Sequence, residues 1–145
     1  EERGDMVAAY YKRLRSDDPE VVAAAALAWT LWEMFCSRLE PGPHARNVDV
    51  RFALAIARIE THYFAHDAWL KPNQLLDDVP RIAHLPCHII QGRYDMVCPP
   101  INAWHLAERW PRARLQIKTH AGHSALEPPI LRGLVAATEA MRSEV

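Results

Sequence analysis

The chain has 145 residues, 50% of them hydrophobic and 24% charged, which is the makeup of a globular domain able to bury a core. Seventeen Lys and Arg stand against 18 Asp and Glu, for a formal net charge of -1, and no dense basic run occurs. Nucleic acid and anionic membrane are therefore excluded as electrostatic partners, and a small, nearly neutral substrate fits better.

Asp18-Pro19-Glu20 reads as a helix start, with an acidic N-cap, proline at the first helical position and a carboxylate in the first turn. The alanine-rich segment behind it is predicted helical to about Leu39, where Pro41-Gly42-Pro43 ends it. Its apolar part, Val21 to Met34, is broken by Thr30 and Glu33 and is shorter than the roughly 20 apolar residues a membrane span needs. Phe52, Ala55, Ile56, Ile59, Tyr63 and Phe64 recur at three and four residues, the period of a one-sided helix. With a helix over Met6 to Leu14, the first half is expected to be helical throughout, as a unit over 1–74.

The pattern changes near Leu75. Leu85 to Gly92 is a short β-branched run bounded by Pro86 and Gly92 and suits a buried parallel strand. A helix from about Pro100 to Trp110, a second strand over Ala113 to Lys118 and a helix from about Pro129 to Met141 follow. This alternation predicts an α/β class with a parallel sheet over 75–145. Two parallel strands cannot cover both of their own faces, so further strands are expected from outside the chain. The three cysteines, Cys36, Cys87 and Cys98, lack metal-ligand spacing and favour a reducing compartment, with cytoplasm as the expected location. No signal peptide is seen, and a chain that begins within a longer protein would not display one.

The chemistry-bearing residues lie at the ends of the two strands. Asp95 stands three residues beyond Gly92, and His123 follows the second strand in His120-Ala121-Gly122-His123-Ser124, 28 residues later. A carboxylate there can accept an imidazole Nδ1 proton and fix the tautomer, and histidine, with an ordinary pKa of about 6.5, suits general-base work. The order acid then histidine after successive strands is that of α/β-hydrolases, whose nucleophile precedes both. Ser16, Ser37, Ser124 and Ser143 are the serines, and none sits in Gly-x-Ser-x-Gly. The nucleophile is thus expected upstream of Glu1, and the chain reads as the C-terminal half of an enzyme. The plainer reading of Asp95 is a turn residue capping the next helix. His120 has no preceding glycine and is assigned to the surface, while Gly122 is expected to let the backbone bend and offer His123. His62 and His66 are one helical turn apart, but the segment is not His-Glu-x-x-His and lacks a third ligand, so no metal is expected.

Several motifs together resemble the prolyl iminopeptidases. Gly92-Arg93-Tyr94-Asp95-Met96-Val97-Cys98-Pro99, Ala103-Trp104, Trp110-Pro111, Leu115-Gln116-Ile117 and Gly122-His123-Ser124-Ala125 are similar to that family's C-terminal part. Trp29-x-x-Trp32-Glu33 and Ala57-Arg58-Ile59-Glu60-x-His62-Tyr63-Phe64 resemble its helical cap. The resemblance implies a cofactor-free serine peptidase of the α/β-hydrolase fold that removes N-terminal proline from peptides. It implies a cap over 1–74, the C-terminal part of the core over 75–145, and an N-terminal half supplying the nucleophile elbow and oxyanion loop. It maps the carboxylates that bind the substrate amine to Glu33 and Glu60, the wall of the proline pocket to Phe64, and a cysteine close to the active site to Cys98. Asp95 beside that thiol disfavours the thiolate, so Cys98 is not expected to be the nucleophile. Physically, a carboxylate on an apolar helix is costly to bury unless it meets a cation, and the secondary ammonium of proline is one. The alternative for either glutamate is an ion pair with Arg58 or Arg38 on a solvated surface. Two other readings remain: a different hydrolase acting on an ester, amide or epoxide, and a non-catalytic interaction module using an exposed sheet edge.

Overall fold

The computed structural model describes residues 2–40, 42 and 48–143. The chain divides into two compact units, one comprising residues 1–35 and 41–71 and the other residues 36–40 and 72–145.

The first unit is helical. Its helices are α1 (Met6–Arg13), α2 (Pro19–Cys36) and α3 (Val50–Phe64), with short 3-10 turns at Glu2–Gly4 and Asp67–Trp69. Asp5 caps α1 through its side chain on Ala8 N, and Asp49 caps α3 on Arg51 N and Phe52 N. Asp18 accepts from Glu20 N at 2.9 Å, as the Asp-Pro-Glu signature requires. The core holds Leu14, Ala25, Ala26, Trp29, Ala53 and Ala57. Alanines on α2 and α3 leave room for close approach, and Thr30 Oγ1 donates to Ala53 O across it at 3.2 Å.

The second unit is α/β. It contains α4 (Gln74–Asp77), β1 (Cys87–Gly92), α5 (Pro100–Arg109), β2 (Ala113–Lys118) and α6 (Pro128–Met141). The strands pair in parallel, with Cys87 opposite Ala113 and Gly92 opposite Lys118, and α5 and α6 pack on both. A Cβ on Gly133 of α6 would lie 2.8 Å from Ile90 Cγ2, so the small residue lets the helix approach the sheet. Apart from Gly92, neither strand has a fully buried residue, and in β2 only Ala113, Leu115 and Lys118 are half-buried, the rest being exposed. That is unusual for parallel strands, which are ordinarily covered on both faces.

The boundaries differ from the sequence expectation at one instructive place. α2 ends at Cys36 rather than near Leu39, because residues 37–39 belong to the second unit and their backbone hydrogen-bonds within it: Ser37 O accepts from His123 N and Ser124 N, and Leu39 N donates to Glu127 Oε1. The expected terminator Pro41-Gly42-Pro43 lies, save Gly42, outside the described residues. Among the described residues, no helix is long and apolar enough to cross a membrane.

Candidate active site

β1 ends at Gly92, and the next residues turn sharply against the loop that follows β2. Tyr94 N donates to Ala121 O at 3.0 Å and Arg93 N to Lys118 O at 2.9 Å. A Cβ on Gly92 would sit 1.9 Å from Gly122 O, so no other residue fits without moving this loop. The two loops are thus locked together, and each carries one functional side chain.

Asp95 is 6% exposed, and donors surround its carboxylate. Val97 N (3.0 Å) and Cys98 N (2.7 Å) donate to Oδ1, while Gln91 Nε2 (3.1 Å) and His123 Nδ1 (3.0 Å) address Oδ2. The turn-capping role and the imidazole contact therefore coexist, one oxygen serving each. Because the carboxylate can only accept, the ring nitrogen facing it carries the proton, and Nε2 of His123 is the basic nitrogen. The His123 side chain is 39% exposed, accessible to a reacting group. The distance falls within the hydrogen-bonding reach expected from the placement of the two residues after consecutive strands. His120 is exposed.

Gln91 and Glu127 carry no signal in the sequence, yet they organise the site. Gln91 Nε2 also donates to Gly92 O and Cys98 O, tying the Asp95 loop to its strand. Glu127, 8% exposed, accepts from Gly122 N (2.5 Å) and Leu39 N (2.8 Å), so one buried carboxylate joins the His123 loop to the 36–40 segment. Gly122 is explained by the same contact. Its φ is not positive, and no special bend is required; a Cβ there would approach Leu39 N to 2.9 Å. Glu127→Gln offers one acceptor where two N–H groups need one, which should destabilise the second unit by about 1–3 kcal/mol in chemical denaturation. Glu139→Gln, at an exposed pair with Arg142, is the matched control and should change nothing measurable.

Cys98 is exposed, but desolvation of its thiol and then the Asp95 charge push its pKa up, which suppresses the thiolate at neutral pH. Cys36 and Cys87 are half-buried free thiols.

Within the first unit, Glu33 and Glu60 meet. Trp29 Nε1 donates to Glu60 Oε2 at 2.8 Å. Burial, followed by the hydrogen bond and charge of Glu60, pushes Glu33 up to about 8. Arg58, the alternative partner, donates through Nε to Leu14 O at 3.0 Å. Aromatic rings gather beside the pair: Trp29 lies 5.4 Å from Tyr10, 6.4 Å from Trp32 and 6.1 Å from Phe64 between ring centroids. Phe64 and Trp32 are at least half exposed. An apolar hollow of about 350 Å³ opens beside Trp29 and Trp32, lined also by Met6, Val7, Tyr10 and Ala28.

The raised Glu33 pKa bears on stability. The folded state favours its neutral form, so its contribution is fully present below the ordinary carboxyl pKa of 4.5 and is lost as pH rises towards about 8. Thermal melts of the isolated chain followed by circular dichroism should give a helical transition that falls between about pH 5 and 8.5, and Glu33→Gln, permanently neutral, should flatten that dependence.

His62 and His66 stack and tilt against Tyr11 and Trp69, and among the described residues no group of three or more His, Cys, Asp or Glu is arranged to hold a metal ion.

An α/β unit that brings a buried carboxylate and an imidazole together after successive parallel strands has the arrangement of a hydrolase. No family model matches the sequence. Individual proteins do. The chain is 49% identical to the proline iminopeptidase of Arabidopsis thaliana over 98% of its own length and 38% of that protein's. Against the proline iminopeptidase of Xylella fastidiosa strain Temecula1 the identity is 47%, over 95% of this chain and 45% of the relative. Against that of Neisseria gonorrhoeae it is 40%, over 94% and 44%. By sequence, the chain is similar to proline iminopeptidases over nearly its whole length, and it spans less than half the length of the curated relatives it matches.

Proposed function

We propose that the chain supplies the acid, the base and the amine-recognition carboxylates of a serine aminopeptidase of the α/β-hydrolase fold that releases N-terminal proline from peptides. The observation that carries the chemistry is the contact of His123 Nδ1 with Asp95 Oδ2 at 3.0 Å, in a carboxylate held by three further donors. In this reading, Nε2 of His123 takes the proton of a serine hydroxyl as it attacks the scissile carbonyl, and later returns it to the leaving amine. Asp95 holds the tautomer and stabilises the imidazolium between those steps. The serine and the oxyanion donors lie outside these 145 residues, which contain no Gly-x-Ser-x-Gly. The half-covered strands β1 and β2 favour this, since they leave a parallel sheet to be completed.

Specificity rests on the first unit. Glu33 and Glu60 converge beside Trp29, Trp32 and Phe64, which is a setting for a cation that carries an apolar ring, as an N-terminal prolinium does. Residues 1–71, less the 36–40 segment, act as the cap, and residues 72–145 as part of the catalytic core. The peptide substrate needs no metal or cofactor in this scheme, and cytoplasm is the proposed setting.

The test is turnover of a proline-initiated chromogenic amide. The isolated chain should release no product, and activity should appear when it is joined to the segment of its parent protein that carries Gly-x-Ser-x-Gly. Turnover by the isolated chain that is abolished by Ser124→Ala would place the nucleophile within these residues and overturn the assignment.

A further inference from the structure

The side chain of His123 is 39% exposed, so little packing holds the imidazole, and its aim depends on one contact of the ring and on the backbone beneath it. The ring contact is Asp95 Oδ2 at 3.0 Å. The backbone is held through three consecutive N–H groups. Gly122 N donates to Glu127 Oε2 at 2.5 Å, while His123 N and Ser124 N both donate to Ser37 O, at 3.0 and 2.8 Å. Because a peptide unit is planar, fixing the N–H groups of residues 123 and 124 fixes the planes on both sides of the His123 Cα, and with them the direction of its Cβ. Glu127 also keeps Ser37 O in place, since its second oxygen accepts from Leu39 N at 2.8 Å. One carboxylate, 8% exposed, thus governs all three groups, one directly and two through the 37–39 backbone. Its own main chain closes the turn, with Glu127 N donating to Ser124 O at 3.1 Å.

We propose that Glu127 is a positioning residue for the general base: its carboxylate aims His123 Nε2, and a small carboxylate from solution can take over that task when the side chain is removed. The inference rests on the general-base reading of His123 above. On this assignment Glu127 touches neither substrate nor reacting atoms and acts through the backbone alone. Two properties of the side chain suit it to the task. It is an acceptor at both oxygens, so it can serve two N–H groups at once, and its charge makes each of those bonds stronger than one to a neutral acceptor. Proton transfer from a serine hydroxyl requires the base to be held within about 0.5 Å of its productive place, and a displacement of about 1 Å costs on the order of a hundredfold in rate.

A hollow of about 300 Å³ adjoins Glu127 and gives a small anion a way in. Arg38 and His120 are its basic side chains, and Glu40 is its other acid. Glu127→Ala removes atoms equivalent to an acetate and leaves a space continuous with that hollow. Glu127→Gln fills the same space with an amide, which presents one oxygen and one NH2 to two N–H groups. Both changes loosen the loop, but only the first leaves room for a replacement.

The kinetic arm of the test uses the joined protein and a proline-initiated chromogenic amide. Glu127→Ala should lower kcat by about a hundredfold with KM within about twofold of the wild type, and formate should recover about tenfold of that loss in a saturable manner. Sodium chloride at equal ionic strength should recover nothing. Glu127→Gln should also lose kcat, and formate should leave it unchanged. The spectroscopic arm uses the 145-residue chain and needs no substrate. The Nδ1–H proton resonance of His123, protected by Asp95 Oδ2 in the wild type, should broaden by exchange in Glu127→Ala and sharpen again with formate, and Glu139→Gln should leave it as it is. If Glu127→Ala fails to fold, Glu127→Gln carries both arms, through its kcat and the same resonance. Wild-type kcat in a folded variant, an unchanged resonance, or formate that restores melting but not kcat would overturn the inference and leave Glu127 a structural residue. A joined wild type without turnover, alongside a resonance that is lost and recovered as described, would overturn the aminopeptidase reading while supporting the positioning of the imidazole by Glu127.

Discussion

Asp95→Asn in the joined, active protein should lower kcat by roughly 10³ to 10⁴ while leaving KM for a proline amide nearly unchanged. The reason lies in the four donors around this carboxylate. Asparagine keeps one carbonyl oxygen, which Val97 N and Cys98 N will claim. Its NH2 then faces His123 and forces Nδ1 to become the acceptor. That moves the ring proton to Nε2, the nitrogen that must be free to receive the serine proton. Gln91 Nε2 loses its acceptor on residue 95 but keeps Gly92 O and Cys98 O, so the loop should survive. Near-native melting together with the rate loss is the expected combination. A loss confined to stability would mean that Asp95 serves only as the cap of its turn.

Glu60→Gln should cost about a hundredfold in kcat/KM on a substrate with a free N-terminal proline, and much less on an N-blocked ester. Breaking one side of a partly buried charge pair costs about 3 kcal/mol or more, which corresponds to that factor. Glutamine still offers Trp29 an acceptor at the position of Oε2, so the hydrogen bond of 2.8 Å has a replacement and the packing of α2 against α3 is preserved. Only the charge is removed. Glu33 then loses its like-charged neighbour and ionises more readily, which holds the loss near the lower end of the range. Equal losses on both substrates, measured side by side, would mean that Glu60 supports the fold rather than the substrate amine.

What could be read from the sequence was what is encoded locally. β2 lies over Ala113–Lys118 as its pattern indicates, α3 follows the three-and-four spacing of its apolar residues, and Asp18 accepts from Glu20 N at the start of α2. Asp95 and His123 could be paired because each follows a strand in a turn rich in glycine and proline. The contacts that went unseen act over long separations. Glu127 reaches Leu39 across 88 positions, and Trp29 reaches Glu60 across 31. No period or propensity encodes such contacts. The early end of α2 has the same origin, since Ser37 O has two N–H partners in the His123 loop where a continued helix would have used it internally. Tertiary hydrogen bonds there override a local preference for helix. Gly122 teaches a related lesson: a glycine in a loop suggests a bend, whereas this one makes space for another strand of backbone.

The most direct measurement of the central claim is the rate at which a fluorophosphonate labels the nucleophilic serine of the joined protein. That reaction needs the base but not the leaving-group step or the substrate amine, so it isolates the role assigned to His123. Labelling should be fast in the joined wild type, fall by about three orders of magnitude in His123→Ala, and persist in Glu60→Gln. Undiminished labelling in His123→Ala would contradict the account.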